Sequence, residues 1–173
     1  ALYVAGEMFD TEPELLTAKV LRQGGDSWRD DVFELLLDPF NDKRSGYQFQ
    51  ANPNGVYDEG LYKGPTIQWE WNGIWQVATT QVENGWIAEA RIPFKTVSFN
   101  PESDTWGINF LRTVARDNEE IAWVSRNRSV SPAISGEIAG LNGLTQGMGL
   151  DVVPSILVNE QRTFSPATGE SAI

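Results

Sequence analysis

Asp31-Val32-Phe33-Glu34-Leu35-Leu36-Leu37-Asp38 is the stretch that decides the fold. Residues 32–37 are dense and apolar, interrupted only by Glu34. That pattern describes a central strand with both faces largely covered. Downstream, Tyr47, Phe49 and Ala51 alternate with Gln48, Gln50 and Asn52, giving a strand with one apolar and one amide-bearing face. Asn52-Pro53-Asn54-Gly55 is a turn signal, and residues 56–62 fold back as its hairpin partner.

The same texture extends in both directions. Leu2, Val4, Gly6 and Met8 share one face of a first strand. Pro13 breaks the chain, residues 14–19 offer at most one helical turn, and residues 17–22 offer a second strand. Asn84-Gly85 joins a strand at 76–82 to one at 86–92, where Trp86, Ala88, Ala90 and Ile92 lie on one face. Trp106, Ile108, Phe110 and Arg112 alternate again, and residues 121–125 follow as another strand. Short strands separated by Gly, Asn and Pro predict an all-β fold, an antiparallel β-sandwich.

The 173 residues suit one domain and the beginning of another. The sandwich is expected over 1–144, a linker over 145–149, and the start of a C-terminal β-rich, barrel-like domain over 150–173. Hydrophobic residues make up 40% and charged residues 21%, an ordinary globular mix. The net charge of −11 argues against nucleic acid as a partner. With no Cys and no His, the chain lacks a thiolate nucleophile, the usual base of a serine hydrolase and the commonest zinc ligands. Paired carboxylates, a Lys or Tyr base and oxygen-ligated metals remain.

Trp28 stands in a loop just before the central strand, where a flat apolar ring suits the C–H face of a sugar. It suits rim packing against its own domain equally. Gln48, Gln50 and Asn52 point the same way from one strand, and amides donate and accept as sugar hydroxyls do. The same alternation describes a solvated outer face. Glu34, inside an apolar strand, needs a partner or a ligand. Asp10, Asp31 and Asp38 are oxygen donors near turns that would suit Ca²⁺, although Asp and Asn favour such turns anyway. Arg112 and Arg116 face Glu119 and Glu120 across Asp117-Asn118, which reads as an ion-pair ladder. Trp69, Trp71 and Trp75 are divided between core packing and an exposed platform.

In order and spacing, these motifs resemble carbohydrate-binding module family 9. The resemblance lies in Leu2-Tyr3-Val4-Ala5, the stretch at 31–38, Gln48-Phe49-Gln50-Ala51-Asn52, Gly85-Trp86-Ile87-Ala88-Glu89-Ala90-Arg91-Ile92-Pro93-Phe94, Trp106-Gly107-Ile108-Asn109-Phe110 and Glu137-Ile138-Ala139-Gly140-Leu141. Ile92-Pro93-Phe94-Lys95 and Arg116-Asp117-Asn118-Glu119-Glu120 are similar to a bacterial subgroup whose secreted module precedes a barrel-like domain associated with the outer membrane. The resemblance implies non-catalytic binding of glucan- or xylan-type oligosaccharides, sometimes with structural Ca²⁺. It implies a periplasmic or outer-membrane location and an N-terminally truncated sandwich whose first strands are missing.

Trp28, Glu34, Gln48 and Asn52 match the sugar-binding residues of the family, and Gln50 stands where those members carry Arg. The second tryptophan of the family's sandwich is expected between Ser125 and Gly136, where this chain has no aromatic residue. Two other functions remain open. The domain would serve as a scaffold or plug for the following barrel, or belong to a glycoside hydrolase of carbohydrate catabolism. No paired acids of this chain form an evident catalytic site.

Overall fold

The computed structural model describes residues 1–23, 25, 27–126 and 130–146, and the backbone of 163–164 and 171–172. Ten strands build the domain: β1 (Leu2–Phe9), β2 (Val32–Asp38), β3 (Ser45–Ala51), β4 (Tyr57–Lys63), β5 (Thr66–Gln68), β6 (Gln76–Val82), β7 (Gly85–Ile92), β8 (Thr105–Val114), β9 (Glu119–Ala122) and β10 (Gly136–Ala139). Helical structure among the described residues is limited to single 3-10 turns at Pro13–Leu15, Ala115–Asp117 and Pro132–Ile134.

A three-stranded sheet of order β1-β7-β6 faces a seven-stranded sheet of order β10-β8-β2-β3-β4-β5, in which β9 also pairs with β8. All pairings are antiparallel, so the fold is the expected sandwich. Two further short strands, β11 (Thr163–Phe164) and β12 (Ser171–Ala172), pair with each other. The remainder of the stretch read as a second domain lies outside the described residues.

Period-two alternation explains how the sheets meet. Leu35 and Leu37 of β2, Phe49 of β3, Trp106 and Ile108 of β8, and Ala90 and Ile92 of β7 turn inward and form one buried cluster with Trp75, Val97 and Phe99. Each fully buried Leu, Ile or Phe contributes roughly 2 kcal/mol. Trp86, Met8 and Ala88 form a second cluster. Gly85 is obligatory at the β6–β7 turn: its φ is +140°, and a Cβ there would lie 2.0 Å from the Met8 carbonyl oxygen.

The opposite face of β2 is largely buried as well. Val32 and Leu36 are buried there, and so is Asn109 on the neighbouring β8. The Asn109 amide accepts from the Val124 N–H at 2.9 Å and donates to the Val124 carbonyl at 2.6 Å, fastening the chain beyond β9.

Residues 17–22 form no strand, contrary to expectation. Their backbone is taken by a side chain instead. The Lys19 and Val20 N–H groups donate to the two oxygens of the buried Asp30 carboxylate at 2.9 and 3.0 Å. Asn52 Nδ2 donates to Asp30 at 2.9 Å and to the Val20 carbonyl at 3.0 Å. An N–H committed to a carboxylate is lost to a strand ladder.

The expected ion-pair ladder is also absent. Arg112 lies opposite Ile121 in the β8–β9 register, while Glu120 lies opposite Thr113. Adjacent positions point to opposite faces, so Arg112 and Glu120 do not meet. Arg112 and Arg116 turn to Asp10, at 3.2 and 2.7 Å.

Asp30→Ala should therefore cost about 2 kcal/mol of stability, because it leaves two part-buried backbone N–H groups and one N–H of the buried Asn52 amide without their acceptor. Urea unfolding of the two proteins would measure the difference, and a change under 1 kcal/mol would refute the account.

Candidate functional site

The outer face of the seven-stranded sheet carries a polar row. Glu34 on β2 is in register with Gln50 on β3, which is in register with Asp58 on β4. Alternation sends all three away from the sandwich core. They form part of the floor of an open cleft of about 600 Å³. Trp28 and Ser27 line it on one side, with Thr113, Asn118, Glu119 and Glu120 from the β8–β9 connection, and Trp69 lines it after β5. Asn118 caps the turn at 115–117 in the left-handed conformation, φ 51°, which lets the chain reverse into β9.

Three of the five residues read from the sequence as sugar ligands meet here: Trp28, Glu34 and Gln50. Gln48 lies beneath the surface and donates its amide hydrogen bond to Glu34, so it orients the carboxylate from within. Asn52 is fully buried and belongs elsewhere. Besides holding Asp30, it accepts the Asn54 and Val56 N–H groups at 3.0 and 2.9 Å and builds the β3–β4 turn. An amide with these bonds has nothing left for a ligand.

Trp28 is 63% exposed, and the Arg29 guanidinium lies 4.3 Å from its ring centroid. Arg29 lines a neighbouring hollow with Lys19 and Arg116, not the cleft. The loop carrying Trp28 is anchored by two aspartates. Asp30 holds residues 19 and 20, while the Asp31 N–H donates to the Thr17 carbonyl at 2.7 Å and its carboxylate accepts the Ala115 N–H at 2.9 Å.

Glu34 is buried and forms no ion pair among the described residues. Desolvation, reinforced by the charge of Glu120 and opposed by a bond from Thr113, pushes its carboxyl up to about 7. Burial also raises Asp58. Tyr62 is pushed up by burial and by the same two glutamates.

The three aspartates read as calcium ligands are engaged in separate places. Asp10 is gripped by two arginines, and Arg116 above all holds its carboxyl down at about 2. Asp31 and Asp38 flank opposite ends of β2. Asp38 accepts the Lys43 N–H at 2.8 Å and the Asp42 N–H at 3.2 Å in the turn after β2. Among the described residues no three or more acidic side chains gather as a metal-holding group.

Trp69, Asp58, Thr113 and the glutamates of β9 were not recognised as cleft residues in the sequence. Trp69 had one sign, Gly60. Its position on β4 is in line with Trp69, and a Cβ there would lie 3.1 Å from Trp69 Cε3. Trp71 and Trp75, from the same segment, turn into the core. Trp71 packs 5.0 Å from Tyr47, and Trp75 Nε1 donates to Glu59 at 2.8 Å.

The structure is a two-sheet antiparallel sandwich with an open, aromatic-edged polar cleft on one sheet. Residues 1–129 match the profile described as carbohydrate family 9 binding domain-like, and the chain belongs to that family. No curated protein matches the chain.

Two solved structures share the fold. A family 9 carbohydrate-binding module from Caldicellulosiruptor kristjanssonii, in complex with cellotriose, is 21% identical with a TM-score of 0.55, covering 88% of this chain and 74% of that one. A candidate carbohydrate-binding protein from Bacteroides uniformis is 16% identical with a TM-score of 0.57, covering 72% of this chain and 67% of that one.

The Glu34 carboxyl makes stability depend on pH. Its folded value lies above the unfolded 4.5, so the folded state holds the proton more tightly. Stability from this group is complete below pH 4.5 and is lost as pH rises through about 7. Glu34→Gln should remove that loss, roughly 3 kcal/mol across the window. Denaturant unfolding from pH 4 to 8 would show it, and parallel pH profiles for the two proteins would contradict it.

Proposed function

We propose that this domain is a non-catalytic module that binds neutral glucan- or xylan-type oligosaccharides in the cleft over Glu34 and Gln50. The observation that carries the reading is the meeting of an exposed Trp28 ring with a floor of carboxylate and amide groups. The ring takes the apolar C–H face of a pyranose, and the floor takes its hydroxyls. Charge-assisted bonds from hydroxyls to carboxylates are the stronger kind. Gln48 and Asn52 act from beneath, the first on Glu34 and the second on the loop that presents Trp28.

The charge of the lining supports neutral sugars. Glu34, Asp58, Glu119 and Glu120 face the cleft, and no Lys or Arg is among the described residues that line it. The nearby cations Lys19, Arg29 and Arg116 line the neighbouring hollow, so a uronic acid in the cleft would meet chiefly like charge. The complex of the Caldicellulosiruptor module with cellotriose supports the glucan assignment. Polysaccharides of this kind are met outside the cytoplasm. We place the domain there, as the binding part of a larger periplasmic or outer-membrane protein with a barrel-like domain.

Calorimetric titration with cellotriose and xylotriose tests the reading. Wild type should bind one of them, and Trp28→Ala should lose about 2 kcal/mol, roughly thirtyfold in Kd, with the unfolding transition unchanged. A glucuronic-acid oligosaccharide should give no heat. Wild type silent toward both neutral sugars would favour a scaffold for the following domain.

A further inference from the structure

We infer that Trp69 is a second ring-stacking contact of the cleft, so that the ligand is an oligosaccharide lying across the sheet rather than a single sugar held at Trp28. This rests on the carbohydrate-binding reading above. Trp28 precedes β2, and Trp69 directly follows β5. Both rings line the same cleft. Strands β2, β3, β4 and β5 are consecutive in the sheet, so three strand spacings, about 14 Å, separate the two ends. One pyranose ring does not bridge that distance. Gln50 and Asp58 supply hydrogen-bonding groups on the two strands in between.

The placement of Trp69 is built into the fold. Gly60 has no side chain where a Cβ would meet Ile67 Cγ2 at 2.5 Å and Trp69 Cε3 at 3.1 Å. The indole therefore lies close over the β4 backbone, on the face that carries Asp58. It remains 42% exposed, whereas Trp75, a few residues on, is 5% exposed. A segment that buries Trp75 in the core and packs a partly buried Trp71 against it leaves Trp69 on the side of the cleft. A large apolar ring kept wet beside a row of hydroxyl-binding groups gains by being covered, and a sugar ring covers it.

The test is the dependence of affinity on ligand length. Titration of the whole chain with glucose, cellobiose and cellotriose should show wild-type affinity rising with each unit. Trp69→Ala should abolish the rise, losing about tenfold or more for cellotriose and almost nothing for glucose. Trp69→Phe, which keeps a flat ring, should retain most of the rise. Thermal unfolding of each variant separates a lost contact from a lost fold, and the Phe variant reads the contact if the Ala variant melts early.

Wild-type binding with a length dependence that Trp69→Ala leaves unchanged would overturn this inference and leave the carbohydrate reading standing. Equal losses for glucose and cellotriose would overturn it too, because they would mean a general disturbance of the domain. A wild type that binds neither these sugars nor xylotriose would overturn both.

Discussion

Both faces of β2 are largely buried, and most of the architecture answers to that constraint. Leu35 and Leu37 pack into the sandwich, while on the opposite face Leu36 is fully buried and Glu34 lies at the floor of the cleft. Each polar group on or beside such a strand must find a partner within the protein. Asp30 takes backbone N–H groups of the preceding loop, Asp31 takes Ala115, and Asp38 takes the following turn. Glu34 takes an amide but no cation among the described residues, and it opens to the cleft. The strand thus ties down its surroundings at both ends and keeps one costly carboxylate in the middle. A buried acid without a cation is a common mark of a ligand site.

The aspartate ties also bear on binding strength. A tryptophan on a free loop would lose conformational entropy on meeting a ligand. Here the loop before β2 is fixed to the β3–β4 turn through Asp30 and Asn52, and to the end of β8 through Asp31. Under the proposed function, the ring would therefore meet a ligand from a loop that is already anchored. Asn52 bears on the cleft only through this loop, since its amide is already fully hydrogen-bonded.

Charge is divided between two sides of β8. Arg112 and Arg116 are drawn to Asp10, on the side of β1. Glu119 and Glu120 are left to line the cleft. The β8–β9 register accounts for Glu120, which shares the face of Thr113 and not that of Arg112. A cleft without basic residues among its described lining suits a neutral ligand, and its carboxylates are acceptors for hydroxyl hydrogens.

The strands were legible in the sequence because period-two alternation and turn chemistry are local properties. The 31–38 stretch, the amide-faced strand at 47–51, the Asn84-Gly85 turn and the alternation from Trp106 to Arg112 all appear as read. Trp28, Glu34 and Gln50 stood out because each breaks or borders an apolar pattern. Long-range partnership was not legible. Residues 17–22 alternate like a strand, yet a carboxylate ten residues on takes their N–H groups. Asn52 has the spacing of its strand, yet it is consumed by Asp30 and its own turn. Trp69, Trp71 and Trp75 look alike in sequence. Only the pairing of β4 with β5, and the gap left by Gly60, decide which ring stays at the surface. Alternation says which side a residue faces, whereas the packing of distant segments decides what it meets there.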